Sequence, residues 1–142
     1  MDKTHVIYGS TTGMTEAVAA KVAGAFGAQS FNIASADAAA FDAELLVLGS
    51  STWGIGELQD DWAARLDSVK ASFAGKKVAV FGLGDSQGFA DTFCVAAETI
   101  AAAAKDAGAT LVGDVLKLDD GNEPGETDGR VAAWVETVKS AL

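Results

Sequence analysis

The stretch "THVIYGSTTGMTEAVAAKVAGAFG", Thr4 to Gly27, decides how the rest of the chain is read. It opens as a short apolar run, passes through residues that are almost all small or hydroxylated, and continues as an alanine-rich segment with helical spacing, closed by a glycine. Strand, small polar loop and helix follow one another within a single stretch. In the loop, Ser10, Thr11, Thr12 and Thr15 supply hydroxyls and Gly13 lets a guest approach the backbone. The helix that begins near Met14 turns its free N–H groups and positive dipole end into the same space. These are the features of a phosphate site. The lysine-bearing loop that grips a triphosphate is excluded, because Met14 follows Gly13 where that motif needs lysine. A terminal phosphate monoester held by neutral donors matches better. Helix capping alone would need one hydroxyl, whereas four fall within the six residues 10–15.

Outward from this unit the pattern repeats. Strands are expected at 4–9, 28–34, 44–49, 76–82 and 109–118, and helices at 14–26, 61–71, 92–107 and 128–141, with a short helical or irregular stretch near 36–41. The middle strands, "ELLVLG" and "KKVAVFG", are nearly continuous in apolar residues, as strands covered on both faces are. The fold class is therefore α/β, a doubly wound parallel sheet of five strands with helices on both faces, in a single domain over residues 1–142. The polar stretch "DDGNEPGETDG", which holds Pro124, is expected to be a loop.

In such a sheet ligands bind outside the carboxyl ends of the strands, where the winding reverses. Two further stretches occupy such ends. "SSTWGIGELQDDW" begins at Ser50, and its Ser51 and Thr52 lead into Trp53, a large aromatic among small residues with no packing reason to be there. The neighbouring Gly54 can reorient its carbonyl at little steric cost. "GLGDSQGFADTFC" combines Gly84 and Asp85 with Phe89, Phe93 and Cys94; Phe89, between Gly88 and Ala90, is the better ligand-facing ring, and Phe93 fits the core. A phosphate site at one end and two aromatic walls at the other describe a flavin mononucleotide, FMN.

Composition narrows the partners. Ten basic against twenty acidic residues leave a net charge of −10, which argues against nucleic acids and anionic membranes and favours basic-surfaced partners. The 49% of hydrophobic residues exclude a disordered chain, and no apolar run approaches the roughly 20 residues that cross a bilayer. The amino terminus shows no signal-peptide pattern, so a cytoplasmic location is expected. Cys94, the sole cysteine, can form no intrachain disulfide and no thiolate zinc cluster, and the sole histidine, His5, fits a structural place on a strand.

With these residues in view, the chain resembles the flavodoxin family over essentially its whole length. "GSTTGMTE" resembles the phosphate loop, "STWGIGELQDDW" the first flavin loop and "GLGDSQGFADTF" the second. The resemblance implies strand order 2-1-3-4-5, non-covalent FMN, and service as a low-potential one-electron carrier, shuttling mainly between semiquinone and hydroquinone. The alternative on this fold is an FMN-dependent NAD(P)H or quinone reductase. The resemblance further implies phosphate contacts from Ser10 through Thr15, a ribityl contact from Thr52, ring stacking by Trp53, and a Gly54 carbonyl that accepts from flavin N5–H. The backbone amides of Asp85 and Cys94 would face the pyrimidine edge. Implied partners are a flavodoxin reductase and low-potential oxidoreductases, met by a monomer. The chain departs from the family pattern in three places: Phe89 stands where tyrosine is usual, Ser51 where proline is frequent, and the fifth strand lacks the insertion that accompanies such flavin loops in longer members.

Overall fold

Strand and helix alternate along the chain because segments apolar on both sides give way to segments apolar on one. The computed structural model describes residues 2–9, 14–53, 57–58, 60–84, 95–119 and 124–141. In chain order these form β1 (Asp2–Gly9), α1 (Met14–Phe26), β2 (Gln29–Asn32), β3 (Ala43–Trp53), β4 (Glu57–Leu58), α2 (Asp60–Val69), β5 (Lys77–Gly84), α3 (Val95–Asp106), β6 (Thr110–Leu111), β7 (Leu116–Asp119) and α4 (Pro124–Ser140). Two single 3₁₀ turns, Ala38–Phe41 and Lys70–Phe73, precede β3 and β5.

The strands line up as β2-β1-β3-β5, with β6 and β7 both paired to β5, and every pairing in this row is parallel. Taken together, β6 and β7 are the fifth strand, so the order is the expected 2-1-3-4-5. The chain winds outward from β1 to β2 and then crosses back to β3, which puts the reversal between β1 and β3. Alternation along each strand sorts the core into two layers. Val6, Leu45, Val47, Ala79 and Phe81 meet α1 and α4 through Val18, Val22, Val131, Trp134 and Val138. On the opposite face Ile7, Leu46, Leu48, Val78 and Val80 meet α2 and α3 through Trp62, Leu66, Ala97 and Ile100.

Several boundaries differ from the sequence reading. The fifth strand is not continuous over 109–118: Val78 pairs with Leu111 but Phe81 with Leu116, so two extra residues bulge out between them. Gly113, at φ +70°, makes that turn, and the Trp134 indole closes it by donating to the Asp114 carbonyl at 2.8 Å. Gly113→Ala would force a side chain into the left-handed region, with its Cβ 3.4 Å from Val138 Cγ2. Chemical denaturation should show a loss of about 1 kcal/mol. An unchanged midpoint would mean that the bulge has relaxed into another conformation. The stretch expected to be a loop around Pro124 is helical from that residue on, since proline at the first helical position lacks only an N–H that would have had no partner. Helix α2 gives way to a 3₁₀ turn at Lys70 rather than running to 71, and β3 continues four residues past Gly49. Gly27 and Gly108 follow α1 and α3 at φ +65° and +101°, the helix-ending role expected of them.

His5 takes the structural place foreseen. It is buried, its Nδ1 lies 3.0 Å from the Ala40 carbonyl oxygen, and its ring tilts against Phe31 at 4.9 Å.

Candidate functional site

All strands of the main sheet run the same way, so their carboxyl ends gather along one edge and α1, α2, α3 and α4 all start there. Register fixes how close these ends are: Gly9 of β1 pairs with Ser50 of β3, and Ser50 with Gly82 of β5. Adjacent strands lie about 4.8 Å apart, which puts the exits of β1 and β5 about 10 Å apart with β3 between them. The strand ends from which the three singled-out stretches leave therefore lie along one short line, centred on the winding reversal.

At the β1 exit, Met14 and Thr15 lie in the first turn of α1. Thr15 is 1% exposed, yet its hydroxyl has no hydrogen-bond partner among the described residues. A buried hydroxyl beside the unpaired N–H groups of a helix start is suited to donate to a bound oxyanion. Tyr8, one residue before the strand end, is half-buried, and burial, then the nearby Glu16 charge, raises its phenol above the ordinary range. It stays neutral at physiological pH.

At the β3 exit the strand outruns its neighbours. After Ser51 pairs with Leu83, Thr52 and Trp53 turn to a different partner and pair antiparallel with Leu58 and Glu57 of β4. Ser50 through Trp53 thus belong to a strand, the last two of them in a hairpin that projects beyond the sheet edge, and Ser50 is fully buried at its base. At the third exit Gly84 ends β5 opposite Asp119 of β7. Met14, Thr15, Ser50, Ser51, Thr52, Trp53 and Gly84 are thereby brought to one edge. Ser10, Thr11, Thr12, Gly13, Gly54, Asp85, Phe89, Phe93 and Cys94 lie outside the described residues.

Two residues of α2 serve this edge without having been singled out from the sequence. Trp62 is fully buried and its indole donates to the Gly49 carbonyl at 2.7 Å. The spacing Trp62, Leu66, Val69 along a helix could have marked it as a core anchor. Arg65 donates to the carbonyls of Ile33 and Ala36, the latter at 2.6 Å, and ties the segment after β2 to α2. Nothing in the sequence around it announces that role.

Charge is partitioned along the strands. Segments 9–16, 50–61, 84–95 and 119–129, which join the strand ends to the helices, carry eleven acidic residues and no lysine or arginine; the rest of the chain carries nine acidic and ten basic residues. Asp67 lies outside these segments, in the last turn of α2, two turns toward the opposite edge and 3.4 Å from Lys70. Several cations sit on carbonyl groups elsewhere, among them Lys139 on Ala25 at the end of α1, 2.9 Å away, and Lys76 on Phe41.

FMN is compatible with the described residues: Thr15, a buried hydroxyl with no partner among them, stands at a helix start, and the strand end carrying Trp53 lies at the same edge. Comparison with known proteins agrees. The family model described as "Flavodoxin" matches residues 6–134. A flavodoxin of Synechococcus elongatus is 34% identical, with 99% of this chain and 98% of the relative covered. That alignment spans 166 positions against the 142 residues here, so the relative has segments that this chain lacks. A flavodoxin of Maridesulfovibrio salexigens is 39% identical over 94% of both chains. Among solved structures, oxidised flavodoxin 1 of Bacillus cereus superposes with a TM-score of 0.82 at 29% identity, covering 97% of this chain and 98% of that one. The fold is shared with a Fusobacterium nucleatum flavodoxin bound to flavin mononucleotide, with a TM-score of 0.88, 22% identity, and 99% and 98% of the two chains covered.

Proposed function

This chain belongs to the flavodoxin family, and from that premise we propose that it holds FMN at the carboxyl edge of its sheet and passes single electrons at low potential to basic-surfaced partners. It is an electron-transfer protein, not an enzyme with a substrate of its own. The observation that supports this placement is the register Gly9–Ser50–Gly82, which puts the strand ends leading into all three stretches on one line.

The flavin supplies the redox chemistry when bound; the chain supplies grip, shielding and field. Thr15, the hydroxyls of Ser10, Thr11 and Thr12, and the first N–H groups of α1 would hold the phosphate. Trp53 and Phe89 would cover the ring faces and exclude water, with Thr52 along the ribityl chain, the Gly54 carbonyl accepting a hydrogen bond from the flavin N5–H when that nitrogen is protonated, and the Asp85 and Cys94 amides at the far edge. The acidic edge sets the field. A carboxylate about 10 Å from added negative charge opposes it by roughly 0.4 to 1.7 kcal/mol at effective dielectrics of 80 to 20, before screening. Eleven such residues with no cation among them push in one direction, toward a strong reductant. The partners that family membership implies are a flavodoxin reductase and low-potential oxidoreductases, and the acidic edge favours those with basic surfaces.

FMN added to the apoprotein should stabilise it by about 4 kcal/mol at a thousand times the dissociation constant, and riboflavin, lacking the phosphate, by much less at the same concentration. Thermal shift measures both, and equal shifts would refute the phosphate assignment. An anaerobic reductive titration should show two separated one-electron steps in the visible spectrum. Oxidation of NADPH by the purified protein without a partner would instead establish the reductase reading.

A further inference from the structure

Resting on the FMN reading above, we propose that Trp62 is a positioning residue: its hydrogen bond to Gly49 holds both feet of the flavin hairpin at one fixed separation. The hairpin leaves the sheet after Ser51 and ends at Leu58, two residues before α2 begins at Asp60. Its own pairing consists of two registered residue pairs, Thr52 with Leu58 and Trp53 with Glu57. So short a ladder does not fix its own orientation. One foot continues from Gly49 and the other enters the first turn of α2, and the 2.7 Å bond from Trp62 Nε1 to the Gly49 carbonyl joins them. Both ends of that bond are rigidly set. Trp62 is fully buried among the side chains facing α2 and α3, and no side chain fits at position 49, where a Cβ would strike the Phe81 ring. Three residues further along α2, Arg65 grips the carbonyls after β2, which fixes the helix that carries Trp62.

Without the Trp62 donor the hairpin samples positions away from the ring plane, and apparent FMN affinity falls by the fraction that remains competent. Loss of one ordinary buried hydrogen bond corresponds to about five- to ten-fold weaker FMN binding.

The test replaces Trp62 with β-(3-benzothienyl)alanine, which keeps the bicyclic shape and removes the donor, and separately with phenylalanine. Wild-type protein is measured in parallel by FMN titration; failure of the wild type to bind FMN would reject the reading of the site itself. With wild type bound, the expected results are about five- to ten-fold weaker FMN binding in the benzothienyl variant and a changed separation between the two one-electron midpoint potentials. Faster hydrogen exchange at the Thr52 and Trp53 amides of the apoprotein is also expected. Unchanged affinity, potentials and exchange would overturn the proposal, even if Trp62→Phe lowers the melting temperature, because that loss would reflect core packing alone.

Discussion

Gly49→Ala is expected to cost about 2–3 kcal/mol and to lower the melting temperature by roughly 7–10 °C. Gly49 pairs directly with Phe81 across β3 and β5, and the Phe81 ring lies over the space where a side chain would stand. A Cβ built there would sit 2.1 Å from a ring carbon, far inside van der Waals contact. The ring has little room to yield. It is fully buried and meets Trp134 edge-on at 6.2 Å, and Trp134 is itself held by its bond to the Asp114 carbonyl. Close-packed interiors transmit such strain instead of absorbing it. Phe81→Leu alone should also destabilise, by about 1 kcal/mol, yet in the Gly49→Ala background it should restore stability, because the smaller side chain clears the new methyl. Melting curves of the two single variants and the double variant measure that change of sign. Additive losses would show that the clash is relieved by separation of the strands.

Electron transfer to a basic-surfaced acceptor is expected to slow by ten- to a hundred-fold as ionic strength rises from about 0.01 to 0.5 M. All of the net charge resides in the segments that surround the proposed flavin edge, so the field is aimed and not diffuse. The remainder of the chain carries nine acidic and ten basic residues, which nearly cancel. Reversing Asp60 and Asp61 to lysine should flatten the salt dependence and reduce the low-salt rate, with little change above about 0.5 M, where the Debye length falls below about 5 Å. Stopped-flow rates against salt, with an acidic-surfaced acceptor as comparison, decide it. A slope common to both acceptors would count against steering.

How much was legible in the sequence depends on whether a feature is local. The run Val6–Ile7–Tyr8 followed by small hydroxylated residues and an alanine-rich period fixes β1 and α1 by itself, and α1 begins and ends where the spacing predicts. The strand order was implied by the flavodoxin resemblance and not by periodicity, since right-handed crossovers allow more than one order for five strands. The bulge in the fifth strand was not legible, because it depends on Trp134, some twenty residues on, reaching back to Asp114. Pro124 misled for a physical reason: proline breaks a helix interior but suits a helix start, and a polar run does not distinguish the two. At the site, residue types announced a phosphate and a flat ring, since hydroxyl density and an unexplained tryptophan are visible in one dimension. Support from Trp62 and Arg65 was not visible. Both act on backbone carbonyls of distant segments, and a carbonyl leaves no mark on the sequence.

The interrupted fifth strand has a further consequence, for how the molecule tolerates its own company. It forms one margin of an open sheet, where unsatisfied N–H and C=O groups could recruit a strand from another molecule. Here that margin presents Thr110 and Leu111, both exposed, then bulges at Gly113 and Asp114 and resumes at Leu116. Among the described residues the ladder on this margin is split into a two-residue and a four-residue piece. The same two extra residues that cost the sheet its regularity therefore keep this margin from zipping onto a neighbour, which suits a protein that must meet partners briefly and part from them.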